Sequence, residues 1–549
     1  MKKSDRRTLV FGIDGGTWEI LDPLLARGVM PTLRRLKEQG AWGTLRSIVP
    51  VNSAAAWSSF LTGLPPEKHG IPDFFVWKSG AAKRATVNAT WLPHPTILDL
   101  LQDEGPILSL KVPMTYPPWA IRGAMVSGLP TPDDESAFTY PDELAGRINA
   151  LTAKKSAGRD WVLDDFGRDI ILDQLETAQE NLEKTTDLLV HELQDARIAF
   201  VVARDVDELQ HFFWDALTAQ PQDEARSYLP RLEKYFARLD DYLGRWLIWA
   251  GANARIVLLS DHGFGPVEGV WHLNEWLRHK GFLRIREEAE ATGKGKGSTL
   301  SRRLNYAVRR RLLRVCKRLH FVCKGLEKSL EGIKFRSLRQ ADLCAVDWSE
   351  TLAYAGNVGE EFLPLYVNLQ GREPFGIVSP QQYAKVREDL RATLLNNRLP
   401  VVKAVHRAED LFNISDARQA STPDLIVETV SGGVQSDFSL GAAQVYEPSR
   451  YRKACHRRQG MFLLSGPEVN PGRYDAELLD LPATILAWQG LSVPEYFAGK
   501  TLNCILTELP GRKSGAGERR STEPVAKREY LSEEDEAGAR AKLESLGYL

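Results

Sequence analysis

The sequence predicts an α/β layered fold with a mostly parallel central sheet. Two observations carry this. Several short apolar runs have strand length but no polar alternation, which suits strands buried on both faces. Between them lie stretches with apolar residues three and four apart, the spacing of amphipathic helices. A third observation sets the scale. The 549 residues, 43% of them hydrophobic, can bury a large core without disulfide staples. Length alone suggests three or four units of ~150 residues. The pattern reduces this to one large core with an insertion and a tail.

The first strand is read at Thr8–Ile13. Basic residues precede it, as in a secretory leader, but the apolar run stops after Ile13 and turns into Asp-Gly-Gly. A leader needs an apolar region of about 7–15 residues. No stretch approaches the ~20 apolar residues of a spanning helix, so the expectation is a soluble, cytoplasmic protein. Further strands are read at Ile198–Ala203, Arg255–Leu259 and Met461–Leu464. From Tyr228 to Leu247, the residues Leu232, Tyr235, Phe236, Leu239, Leu243, Trp246 and Leu247 form one apolar stripe.

Two regions break the rhythm. Residues 286–345 form a helical insertion. One face of its helix carries Leu304, Val308, Leu312, Val315, Leu319, Val322, Leu326 and Leu330. The rest of that surface is basic, from Arg302 to Arg318. It reads as a cap over the site, or as a contact with an anionic surface through residues 302–318. Residues 511–549 read as a linker with a short C-terminal helix. The catalytic core then comprises residues 1–285 and 346–510. Lys plus Arg number 71 and Asp plus Glu 72, a net charge of −1. This balance gives no global attraction to nucleic acid, no nucleic-acid motif is present, and nothing specifies an oligomeric state. The five cysteines form no C-x-x-C pair, so neither a disulfide framework nor a thiolate zinc site is supported.

The chemistry-bearing residues follow strands. Asp14 ends the first strand, and Asp261 with His262 follows Arg255–Leu259. Asp207 and His211 sit four apart just after Ile198–Ala203, on one face of a helical turn. His456 precedes the last strand. Open α/β sheets collect ligands beyond strand carboxyl ends, and an Asp/His set without Cys suits Zn²⁺ or a similar ion. Each piece alone has an ordinary reading. Asp14-Gly is a turn, Asp207 and His211 a surface pair, Asp261 a cap, and His456 a loop residue. Ser53 directly precedes Ala54-Ala55-Ala56, which starts a helix. Its hydroxyl can cap that helix, or it can be a nucleophile beside a positive dipole end. Ser58, Ser59 and Thr62 are rival hydroxyls read as packing residues. His69 is read as bonding nearby backbone. Tyr116 and Trp119 either pack or line a pocket.

Taken together, FGIDGGTWEIL, the Pro50–Phe74 region with HGI, DELQHFFW, SDHGFGP and HRRQGMFLLSGP resemble the alkaline phosphatase superfamily. The nearest branch is the type I phosphodiesterase/nucleotide pyrophosphatase family. The resemblance implies an α/β/α sandwich and a metal-dependent phosphohydrolase acting on phosphodiester or pyrophosphate bonds. It implies that Asp14, Ser53, Asp261 and His262 hold one divalent ion, and that Asp207, His211 and His456 hold another. Zn²⁺ is the expected ion and Mn²⁺ the alternative. It further implies that Ser53 is the catalytic nucleophile, forming a phosphoseryl intermediate on a small phosphate-ester substrate. The physical logic is that a hydroxyl bound to a cation ionises more easily, and paired cations clamp attacking and leaving oxygens. There are departures. The nucleophile is Ser rather than Thr, and the Asn that usually follows HGI is missing, with Phe74 near that place. A phosphomonoesterase or phosphotransferase reading therefore stays open, as does a non-catalytic metal- or phosphate-binding protein. No cysteine precedes Cys316, which argues against sulfatase chemistry.

Overall fold

The computed structural model describes residues 6–77, 84–93, 95–132, 137–152, 165–220, 222–286, 345–356, 359–396, 401–412, 414, 422–430, 433–437, 440–442, 444–449, 452–507 and 532–545. The basic segment 302–318 lies outside the described residues, as do most of the 286–345 insertion and residues 511–531 of the proposed linker.

Nine strands form the central sheet: β1 (Thr8–Ile13), β2 (Ala41–Arg46), β3 (Ile107–Leu110), β4 (Gly123–Val126), β5 (Thr139–Tyr140), β6 (Ile198–Ala203), β7 (Arg255–Leu259), β8 (Gln459–Ser465) and β9 (Gly472–Glu477). Their spatial order is β9-β2-β8-β7-β1-β6-β3-β4-β5. All run the same way except β8, which is antiparallel to both neighbours, and the edge strand β5. The apolar runs at 8–13, 198–203 and 255–259 are strands over those same residues, and the Met461–Leu464 run lies inside β8. These strands read clearly because both of their faces are covered. β2 alternates buried and half-buried residues near the sheet edge, and it carries no such signal.

Side chains alternate between two apolar layers. Along β1, Val10 faces one layer while Leu9, Phe11 and Ile13 face the other. Along β7, Val257 and Leu259 face the first and Ile256 and Leu258 the second. The helices Ser53–Thr62 and Asp480–Trp488 fill the first layer with Trp57, Phe60, Leu481, Ile485 and Trp488. The second is built largely by the helix Leu229–Ala250, whose buried Leu232, Tyr235, Phe236, Leu239, Leu243 and Trp246 are the predicted stripe. The result is an α/β/α sandwich.

A smaller antiparallel sheet stands apart from the sandwich, with strands Ala353–Tyr354, Phe362–Val367, Leu425–Thr429 and Val402–Arg407 in that spatial order. It has its own apolar cluster around Trp271, Trp276, Tyr354, Leu363, Leu365 and Val427. The helix Glu533–Ser545 buries Ala539 and Leu543. Leu543 joins the first core layer, and Asp535 accepts a hydrogen bond from the Tyr116 hydroxyl at 3.2 Å. Trp119 donates to Asp99 at 2.8 Å. The TYPPW segment is thus bound up in packing and local hydrogen bonds.

Two glycines give a contrasting test of this packing. A Cβ on Gly43 in β2 would lie 1.7 Å from the Tyr474 carbonyl oxygen of β9, a backbone atom that cannot step aside. A Cβ on Gly244, inside the helix Leu229–Ala250, would meet only Thr32 Oγ1 at 3.6 Å. Gly43→Ala is expected to destabilise by about 1–3 kcal/mol or more. Gly244→Ala should be neutral or stabilising by up to ~1 kcal/mol. Thermal denaturation of both variants checks the pair.

Candidate metal centre

Asp14, Asp261 and His262 stand just past the carboxyl ends of β1 and β7, and Asp207 and His211 lie on the helix Asp205–Leu217 that follows β6. This is the edge at which such sheets gather ligands. The direction of β8 decides the place of His456. Because β8 runs antiparallel, its amino end lies at this same edge. The strand Ala454–Arg457, which leads into β8, pairs with Gly263–Pro266 and sets His456 opposite Phe264.

Ser53 is the first residue of the helix Ser53–Thr62, and Asn52 is its cap. The Asn52 side-chain oxygen accepts the Ala55 N–H at 2.9 Å. This removes the capping reading of Ser53. Its fully buried hydroxyl instead lies 3.2 Å from His262 Nε2 and 3.5 Å from Asp14 Oδ1. The rival hydroxyls are local. Thr62 donates to the Ser58 carbonyl at 2.7 Å, and Ser59 lies 3.0 Å from His69 Nε2. His69 Nδ1 accepts the Ile71 N–H at 3.1 Å, so it bonds backbone as expected, and burial pushes its pKa down to about 3.

Two buried groups of potential ligands result: Asp14 with Asp261 and His262, and Asp207 with His211 and His456. Within each, the donor atoms lie within 4.8 Å of one another. His456 Nε2 is 3.0 Å from Asp207 Oδ1 and 3.2 Å from His211 Nε2. His262 Nε2 is 3.2 Å from Asp261 Oδ2 and 3.8 Å from Asp14 Oδ1. It also lies 3.9 Å from Asp207 Oδ1, which joins the two groups, and its ring stacks on His456 with centroids 3.8 Å apart.

Proton placement tests whether a cation fits. His211 Nδ1 faces the Ala454 carbonyl at 2.9 Å, and His262 Nδ1 faces the Gly263 carbonyl at 3.2 Å. His456 Nδ1 faces Glu360 Oε2 at 3.4 Å. All three partners are acceptors, which suits a proton on each Nδ1 and frees each inward Nε2 to give its lone pair to a cation. These lone pairs meet carboxylate oxygens. Asp261 Oδ2 is buried and has no hydrogen-bond donor among the described residues. A buried space lined by acceptors fits divalent cations, which would supply the missing positive charge.

The electrostatics agree. Burial raises the Asp14 carboxyl well above its ordinary pKa, and the nearby Asp261 and Asp207 push it further. Burial also works against ionised Asp207, but His211, His456 and His262 outweigh it and hold that carboxyl far below the usual range. Burial lowers His211 to about 3, helped by Arg452. Burial opposes the charged form of His456 too, yet Glu360 and Asp207 raise its pKa.

Sequence reasoning overlooked three supporting residues. Trp57 donates its indole N–H to Asp14 Oδ2 at 3.3 Å. Gln210 donates to the Gly15 carbonyl at 2.8 Å, and Gly15 in turn donates its N–H to Asp261 Oδ1 at 3.1 Å. Glu360 accepts the backbone N–H of His456. Only Trp57 carried a usable signal, one turn beyond Ser53. Phe74, near the missing Asn, is fully buried in the first core layer and offers no side-chain donor.

The profile of the type I phosphodiesterase / nucleotide pyrophosphatase family matches residues 8–449. This chain belongs to that family. It is accordingly a metal-dependent phosphohydrolase with an alkaline phosphatase-like core, and its two candidate ligand groups support a two-metal site. No curated protein sequence matches the chain. Among solved structures, phosphonoacetate hydrolase from Sinorhizobium meliloti 1021, in complex with phosphonoformate, is 16% identical with a TM-score of 0.50; the match covers 87% of this chain and 94% of that one. Human ectonucleotide pyrophosphatase / phosphodiesterase 5 is 11% identical with a TM-score of 0.49, covering 92% and 100%. The murine protein is 13% identical with a TM-score of 0.45, covering 93% and 98%.

The expected cytoplasmic location is corrected here. The similar structures include these ecto-enzymes. Among the described residues no helix is long and apolar enough to cross a membrane, but that observation assigns no compartment.

The grouping makes a separable prediction. His456→Ala should remove one ion per chain and leave the Asp14–Asp261–His262 group loaded. Elemental analysis after dialysis against a weak chelator reads the stoichiometry. Unchanged metal content would take His456 out of the ligand set.

Proposed function

We propose that this chain hydrolyses phosphodiester or pyrophosphate bonds by attack of the Ser53 hydroxyl on phosphorus, passing through a phosphoseryl intermediate. One observation carries the reading. The fully buried Ser53 hydroxyl, freed from capping by Asn52, touches both His262 and Asp14 at the first turn of its helix. In this reading Asp14, Ser53, Asp261 and His262 hold one ion, and Asp207, His211 and His456 the other. Zn²⁺ suits a mixed imidazole and carboxylate set, with Mn²⁺ as the alternative. Such ions, when bound, lower the pKa of a coordinated hydroxyl and neutralise charge on the phosphoryl oxygens.

The remaining work falls to the chain. The helix start directs backbone N–H groups and a positive dipole end toward the phosphate. Trp57 holds Asp14 in place from the same helix, one turn after Ser53. The 3.2 Å approach of His262 Nε2 sets the Ser53 hydroxyl beside the ligands of the first ion, so its proton can pass to solvent and no separate general base is needed. Water then attacks the phosphoserine and releases the product.

A second reading has its own observation. The buried Phe74 side chain has no hydrogen-bond donor to offer where the family usually has an Asn, and loss of one such donor can cost ~2.7–4 kcal/mol of transition-state stabilisation. This favours a phosphomonoesterase or phosphotransferase built on the same Ser53. Phosphonate cleavage, the activity named for the Sinorhizobium relative, belongs in the same comparison.

Ser53→Ala is expected to lower turnover by at least about 10³-fold while leaving much of the bound metal in place. Hydrolysis at the original rate would displace Ser53 as nucleophile. Chelation should abolish activity, and Zn²⁺ or Mn²⁺ should restore it. With metal restored, aryl phosphodiesters should be cleaved faster than aryl phosphomonoesters. The reverse order would select the second reading.

A further inference from the structure

We infer that Glu360 is the positioning residue of the His456 ligand: it holds the backbone and the ring of that histidine at the cation site. The inference rests on the two-metal reading above and adds a residue which that reading does not use.

Glu360 is 7% exposed and reaches His456 at two points. One carboxylate oxygen, Oε2, accepts the His456 backbone N–H and lies 3.4 Å from His456 Nδ1. The other, Oε1, accepts from Arg452 Nη1 at 2.9 Å. With Nδ1 turned to Glu360, Nε2 is the ring atom aimed at Asp207 Oδ1 and His211 Nε2, at 3.0 and 3.2 Å. A carboxylate behind a ligand histidine orients its ring and strengthens it as a metal ligand.

The carboxylate is itself held by a fixed backbone. Gly359 and Ser436 bind each other on both sides: the Ser436 N–H donates to the Gly359 carbonyl at 2.7 Å, and the Gly359 N–H to Ser436 Oγ at 3.1 Å. The Glu361 carbonyl accepts the Thr429 N–H at 3.0 Å. The Glu361 side chain then accepts the Arg458 N–H at 2.6 Å. Consecutive glutamates therefore grip the chain on either side of Arg457, one at His456 and the next at Arg458. Both belong to the segment entering the strand Phe362–Val367 of the smaller sheet. The smaller sheet thus aligns a ligand that the sandwich alone leaves on a short connecting strand.

The test is metal affinity together with the ring position of His456 in the metal-free protein. In Glu360→Gln, buffered Zn²⁺ titration should show one ion bound as in the parent and the second roughly 10–100-fold weaker. The ¹⁵N-histidine spectrum of the metal-free variant should show the His456 ring signals, identified by their loss in His456→Asn, moved from their places in the parent. A folded Glu360→Gln with both affinities and the His456 signals unchanged would overturn the proposal. Should that variant fail to fold, Glu360→Asp keeps the charge and shortens its reach. It should weaken the same single ion, and unaltered binding would again refute the role. Parent protein that takes up no metal would sink the two-metal reading instead. The histidine spectrum needs no metal and would still decide the part assigned to Glu360.

Discussion

Three carboxyl groups and three imidazoles crowd one another on buried side chains, and much of the molecule is arranged to tolerate that. Burying such groups without counter-charge is costly, with several kcal/mol for each unpaired ion. The cost is contained by fixing each Nδ1 proton outward, on two backbone carbonyls and one glutamate. It also requires that the six donors arrive on rigid elements. Strand ends, one helix and one strand pair supply them, and none hangs on a long loop.

Much of this was legible in the sequence because burial leaves a plain record. β1, β6 and β7 are apolar on both faces, so their limits and the acidic residues after them could be read directly. The spacing of Asp207 and His211 likewise gave their shared helical face. What could not be read is direction and second-partner geometry. An apolar run looks the same whether its strand is parallel or antiparallel, so the course of β8, and the reason His456 reaches the site, had no sequence signal. Glu360 was hidden for a similar reason. It is an acidic residue before a strand of the smaller sheet, 96 residues along the chain from the histidine it holds. Asn52 and Ser53 are both good caps, and only the structure assigns that task to Asn52.

The two sheets divide the labour. The sandwich brings the candidate donors and the Ser53 hydroxyl to its carboxyl edge, on a core that packs Trp57 beneath Asp14. Gly12 belongs to that arrangement, since a Cβ there would come within 2.7 Å of the Trp57 ring. The smaller sheet has a separate apolar cluster and touches the centre through the Glu360–Glu361 segment. Its Phe362 and Ile426 also share an apolar cluster with Val49 and Val51, just before Ser53, so changes in the smaller sheet can reach the centre by packing as well as through the two carboxylates.

The antiparallel return of β8 has a consequence for how the protein is made. Asp207 and His456 are neighbours at 3.0 Å yet 249 residues apart in the chain. During synthesis, Asp14, Ser53 and the Asp207 helix emerge long before their last companion. The growing chain carries an incomplete set of donors for most of its time on the ribosome, and the second ligand group closes only when the late strand threads back between β2 and β7. A cation met earlier would find only two of that group's three donors, Asp207 and His211.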